Sequence, residues 1–213
     1  MRYLLLLLPA LLVAGETPAA HKTTAPNKPL AAVTVQKNFK ESGSPTAPIK
    51  IEIYTDYECP ACRALYLDTL PSLNADFVAT GKVELLHRDF RLPQHQFSKV
   101  ATRYANAAGM IGKFDIVVHQ LFVSQPEWSQ SGNVDAQVAK VLAPGDLVKV
   151  RDMVANDAKL DDTVNVDLAM GNQDRLNQTP TLVIVGKNGK RDVIGGAVPF
   201  GILKSYLDKK LAE

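Results

Sequence analysis

The 213-residue sequence predicts an α/β fold, and three observations carry that prediction. Short β-branched and apolar runs at residues 49–54 and 83–90 bracket a stretch of helical period. A long middle section, about 94–176, is helical in period and poor in strand signals. A second pair of short strands, at 181–185 and 191–194, is joined by Asn188-Gly189, the strongest short-range hairpin signal. The order is strand–helix–strand, a helical block, then a hairpin and a terminal helix. The ends of the first unit favour a parallel pair, which needs a crossover helix.

Taken in order, Arg2 precedes a leucine-rich stretch at 4–13 and the small residues Ala14 and Gly15. A short basic region, an apolar core and a cleavable small-residue end are the parts of a secretory signal, expected over residues 1–15. The apolar run falls short of the roughly 20 residues a membrane-spanning helix needs, although an uncleaved anchor is the alternative. Residues 16–29 are rich in Thr, Ala, Pro and Lys and read as a tether. Residues 31–39 add a candidate edge strand, and 42–48 are turn-like. The first core strand follows at 49–54. A helix is expected over 60–80, kinked or broken at Pro71 and ended by Gly81, before the second strand at 83–90. Within the helical block, Ala101, Tyr104, Ala105 and Ala108 form one apolar face, and Phe114, Val117, Val118, Leu121 and Phe122 another. Breaks are expected at Gly109, Pro126, Gly132 and Pro144. Gly195-Gly196 ends the hairpin, and 199–211 reads as an amphipathic helix.

The composition is that of a soluble globular protein: 46% hydrophobic, 22% charged, and a scattered net charge of +2. Such a charge supports neither nucleic-acid binding nor a membrane-surface patch.

The chemistry concentrates on Cys59 and Cys62, the only cysteines, in one Cys-Pro-Ala-Cys run. Pro60 is the residue type favoured at the first turn of a helix, so Cys59 is expected at a helix start and to be exposed. Unpaired N–H groups and the helix dipole stabilise an anion there, lowering the thiol pKa below its free value of about 8.5. Cys62, one turn deeper, is the resolving partner. Export places the pair in an oxidising space where a disulfide persists. A purely structural disulfide is a weaker reading, because so small a loop contributes little stability. A zinc site needs two further ligands, and His21, His87, His95 and His119 lack the spacing. They read as packing or surface residues. No metal and no cofactor is expected.

"YTDYECPACRALY" around the cysteines, "HRDFRLPQH" at the second strand, "YANAAGMIGKFDIVVHQLF" in the helical block and "NQTPTLVIVG" before the hairpin together carry a family likeness. From residue 49 to the end, the chain resembles the DsbA-like thiol:disulfide oxidoreductases of the thioredoxin superfamily. The resemblance implies a thioredoxin-like core with an inserted helical cap, over 49–213, with the insertion at about 94–176. It implies a cis-proline at Pro180, packed against the redox pair, and a substrate strand pairing with the backbone of Thr179. It also implies reduced extracytoplasmic proteins as substrates and a membrane quinone-coupled oxidase as the reoxidising partner.

Pro60 and Ala61 shape the motif. Strongly oxidising relatives carry histidine where this chain has Ala61, and many thioredoxin relatives carry a carboxylate where it has Ile53. Asp56 and Glu58 read as solvated loop carboxylates, and Glu58 beside Cys59 would raise its pKa by like-charge repulsion. The expected function is an exported, monomeric oxidase. Residues 16–48 are too few and too polar for the dimerisation domain of an exported isomerase or reductase. A binding or chaperone module on the same fold is the non-enzymatic alternative.

Overall fold

In the computed structural model, residues 38–213 are described. The expected signal peptide, the tether and most of the 31–39 edge strand lie outside the described residues. Among the described residues the sheet has five strands in the order β1-β3-β2-β4-β5. Strand β2 (Ile49–Thr55) sits at its centre, parallel to β3 (Val83–Asp89) and antiparallel to β4 (Thr181–Val185). The Asn188-Gly189 hairpin joins β4 to β5 (Arg191–Gly195), with Gly189 at φ 74°. The edge is filled by β1 (Glu41–Ser42), antiparallel to Leu85 and Leu86, at the start of the stretch expected as a turn.

Alternation along β2 divides the core. Ile49, Ile51 and Ile53 pack with Val83, Leu85, Leu182 and Ile184 under the helices that follow β2, and with Leu203 and Leu207 of α9 (Phe200–Ala212). On the other face Tyr54 packs edge-on against Phe90, with Val183 beside them.

Two expected breaks are corrected. Residues 60–78 form one uninterrupted helical run: α1 (Pro60–Ala64), a π-helical turn (Leu65–Thr69), α2 (Leu70–Leu73) and a second π turn (Asn74–Val78). Leu70 N–H bonds five residues back to Leu65 O. That wider turn admits Pro71, which has no N–H to offer, without breaking the helix. Gly109 lies inside α3 (Ser98–Met110), where a Cβ would stand 2.3 Å from the Phe39 ring. It is glycine for close approach, and the chain turns instead at Gly112, φ 71°.

The rest of the cap is α4 (Phe114–Val123), α5 (Gln125–Ser131), α6 (Val134–Ala139), α7 (Pro144–Asn156) and α8 (Leu160–Gln173). Pro126 and Pro144 sit in first turns, and Gly132 closes α5 in the left-handed conformation, as the sequence predicts. Trp128 is fully buried and donates its indole N–H to Leu121 O at 2.7 Å. Its apolar cluster runs without interruption into Tyr57, Cys59 and Cys62.

A buried ionic network adds to this contact. Lys40 reaches Asp89 Oδ2 of β3 at 2.5 Å and Asp167 Oδ2 of α8 at 3.3 Å. Arg88 bridges Asp167 Oδ1 (2.9 Å) and Glu52 Oε1 (2.7 Å), and Asn106 Nδ2 donates to Asp89 Oδ2 at 3.0 Å. Removing one partner of such a network strands a charge out of water. Lys40→Met is therefore expected to lower stability by about 3–5 kcal/mol, read as a fall in the midpoint of denaturant unfolding.

Candidate active site

The site is built where β2 turns into α1. Cys59 is the N-cap of α1, in extended conformation (φ −75°, ψ 121°), with Pro60 in the first turn. Cys59 N–H donates to Asp56 O at 3.1 Å, and Cys59 O accepts Arg63 N–H at 3.1 Å. Cys62 Sγ accepts the N–H of Asp56 at 3.4 Å. Both cysteines are reduced. The Thr179–Pro180 bond is cis, and Thr179 O stands 3.3 Å from Cys59 Sγ. The expected pair and the expected loop, separated by more than a hundred residues, thus meet.

Cys59 is not exposed as the sequence reading has it. It keeps 6% of its surface, because the Thr179 loop and the cap's apolar cluster pack against it. Cys62 has none.

The two thiols are electrostatically opposite. Cys59 falls from 9.0 to about 5, chiefly because the Cys62 thiol can hydrogen-bond to its anion. Burial opposes that fall, while Thr179 and the backbone N–H groups of Cys62 and Ala61 add to it. Among the described residues the Thr179 hydroxyl is buried with no hydrogen-bond partner. As a neutral thiol Cys59 donates to Thr179 O; on ionising it gives up that bond and takes the donors around it. Cys62 is pushed well above 9.0, first by burial and then by Cys59.

The carboxylates differ from their expected roles. Asp56 is completely buried. Its Oδ1 accepts Glu58 N–H at 2.9 Å, and its Oδ2 accepts Leu92 N–H at 2.7 Å and meets His95 Nδ1 at 2.8 Å. Glu58 turns from Cys59 to accept Phe97 N–H at 2.7 Å. The sequence reads Asp56 as a solvated loop carboxylate and His95 as a packing or surface residue, and pairs neither with the redox segment. An Asp at the end of a strand, two residues before a turn N–H it can bond, is the signal that identifies such an anchor. Gln125 carried no signal at all: from the cap, its Nε2 donates to Tyr57 O (2.7 Å) and Cys59 O (3.0 Å).

The other histidines stand apart. His87 on β3 is held neutral by burial, down to about 4, edge-on to Phe114. His119 lies 6.2 Å from the Tyr66 ring, and His21 is outside the described residues. Among the described residues no group of three His, Cys, Asp or Glu is placed to hold a metal ion.

Residues 38–194 match the family model described as Thioredoxin. The chain belongs to the thioredoxin family. Among curated proteins, it is 31% identical over 149 residues to the Na(+)/H(+) antiporter NhaA 1 of Mycolicibacterium gilvum, an overlap of 68% of this chain and 23% of that one. It is 38% identical over 48 residues to a probable disulfide bond formation protein D of Bacillus cereus, 22% of each chain. The chain spans less than a quarter of these curated relatives. Two solved structures share the thioredoxin-family fold with its helical cap. Wolbachia pipientis alpha-DsbA1 has a TM-score of 0.68 at 20% identity, over 81% of this chain and 90% of that one. Oxidised BdbD from Bacillus subtilis has a TM-score of 0.67 at 20% identity, over 82% and 93%.

A group whose folded pKa is depressed stabilises the fold above its unfolded pKa and loses that contribution as pH falls. The reduced protein is therefore expected to lose stability relative to the disulfide form as pH drops from about 9 toward 5. Thiolate absorbance is expected to show one transition with a midpoint near 5, absent from Cys59→Ser.

Proposed function

We propose that this thioredoxin-family protein is an exported thiol:disulfide oxidoreductase that introduces disulfides into other proteins through Cys59 and Cys62. The observation that carries the reading is the opposed state of the two thiols: one stabilised as an anion at a helix start, the other buried and held protonated.

With the pair oxidised, a substrate thiolate attacks Cys59 Sγ. The Cys59–Cys62 bond breaks, a mixed disulfide forms on Cys59, and Cys62 leaves and takes up a proton. A second substrate thiolate attacks the substrate sulfur of that mixed disulfide, and Cys59 departs as a thiolate. The substrate ends with a disulfide, and its two electrons reside on the Cys59 thiolate and Cys62 thiol. An easily formed Cys59 anion stabilises the reduced pair, so transfer runs toward substrate oxidation.

Thr179 and Pro180 are the substrate-binding residues of this scheme. Proline has no N–H to compete for the sulfur, while the Thr179 main chain offers an edge to an extended substrate segment. Pro60 sets the helix start, and Ala61 serves through its backbone N–H rather than its side chain. The apolar run at 4–13 supports export. Reduced extracytoplasmic proteins are the substrates, a membrane quinone-coupled oxidase restores the disulfide, and the protein works as a monomer.

Cys59→Ser is expected to abolish oxidation of a reduced dithiol peptide. Mixed with a disulfide-bonded peptide, Cys62→Ala is expected to accumulate a mixed disulfide in which the Cys59 thiolate has attacked one peptide sulfur and released the other as a thiol, resolved by mass spectrometry; none forming would reverse the order of attack. The reduction potential of the pair is expected well above thioredoxin's roughly −270 mV, and a value at that level assigns a reductase instead.

A further inference from the structure

Gln125 opens α5 in the cap and is buried. Its amide nitrogen reaches across to the redox segment and gives one hydrogen each to Tyr57 O and Cys59 O. One of those carbonyls belongs to the reacting sulfur's own residue and the other lies two residues before it, so they bracket the Cys59 Cα along the main chain. Cys59 O already accepts Arg63 N–H as the first bond of α1, so the Gln125 bond occupies its remaining lone pair. A tie in the opposite direction lies beside it: Arg63 Nε donates to Phe122 O, at the end of α4, at 2.9 Å. The Tyr57 and Phe122 rings close the same seam, 5.3 Å apart.

We propose that Gln125 is a positioning residue: through its amide the helical cap fixes the main chain on either side of Cys59, and this sets how readily that sulfur leaves. The proposal rests on the oxidoreductase reading above. Its physical basis is the sign of the groups around the sulfur. Carbonyl oxygens carry partial negative charge, and one freed to turn beside an anionic sulfur disfavours it. The backbone N–H groups of Ala61 and Cys62 stabilise the anion only while the loop keeps them aimed at it. A neutral amide with two hydrogens can hold both carbonyls at once, which no carboxylate or hydroxyl can do. The cap thereby supports the reacting group without touching the sulfur.

The test uses the purified protein with both cysteines present. Gln125→Met keeps the length and volume of the side chain and deletes the donor. Gln125→Asn keeps the amide but withdraws it by one methylene, and carries the test if Gln125→Met does not fold. The thiolate midpoint of Cys59 is expected to rise by roughly one unit, a tenfold loss of anion stability. The exchange equilibrium with glutathione is expected to move by the same tenfold factor, about 30 mV toward a more negative potential. Because the variant leaves the buried Tyr57 O without its donor, the thermal midpoint is expected to fall by about a few degrees in the thiol and disulfide forms alike, whereas a purely structural role for Gln125 would leave the thiolate midpoint and the potential unmoved. A folded variant with an unchanged thiolate midpoint and potential overturns the proposal. If the parent protein oxidises no dithiol peptide while the thiolate midpoint of Cys59 still shifts in the variants, the oxidoreductase reading fails and the role of Gln125 stands.

Discussion

Asp56 stands where β2 gives way to the redox helix, and all of its polar atoms are committed to that junction. Its N–H points at Cys62 Sγ, and its carbonyl takes the N–H of Cys59. Its carboxylate gathers the N–H of Glu58, the N–H of Leu92 and the ring of His95. A carboxylate with no solvent contact is costly unless hydrogen-bonded, and here its bonds are what bind the segment after β3 to the segment after β2. With that junction set, both sulfurs start from defined positions, and the helix dipole, the cap and the Thr179 loop act on a fixed target.

Magnitudes decide which effect governs the reactive thiol. A helix start contributes at most about 2 kcal/mol to a nearby anion in a favourable site, little more than one pKa unit. A fall from 9.0 to about 5 exceeds that. The larger share comes from donors aimed at the sulfur, with the Cys62 thiol first. The buried cysteine therefore does more than wait to resolve a mixed disulfide. Its proton, kept in place because burial disfavours a second anion, stabilises the first. Without a charged or hydrogen-bonding side chain at Ala61, this partnership carries the polarisation of the site.

The helical cap is part of the same physical unit as the redox pair. Its apolar cluster contains Cys59 and Cys62 themselves, so cap and core do not have separate interiors there. Lys40 and Arg88 link α8 to β2 and β3 on the far side, while Gln125 and Arg63 exchange bonds with main-chain carbonyls on the near side. Polar bonds of this sort are directional, whereas apolar contact is not. The cluster holds the cap on, and these bonds set its register over the cysteines.

The sequence by itself determined the four strands from β2 to β5, the crossover, the hairpin at Asn188-Gly189, the placement of Cys59 ahead of Pro60 and, through family likeness, the approach of the Thr179–Pro180 segment to Cys59. All of these follow from periodicity, turn chemistry or a motif contained in a few consecutive residues. The tertiary structure alone decided the rest. Pro71 was absorbed by a wider turn, Gly109 served an aromatic ring from a distant segment, Asp56 was drawn out of solvent, and Gln125 found two carbonyls more than sixty positions away. In each case the energy lies in a partner remote along the chain, and no local pattern encodes which partner folding will bring.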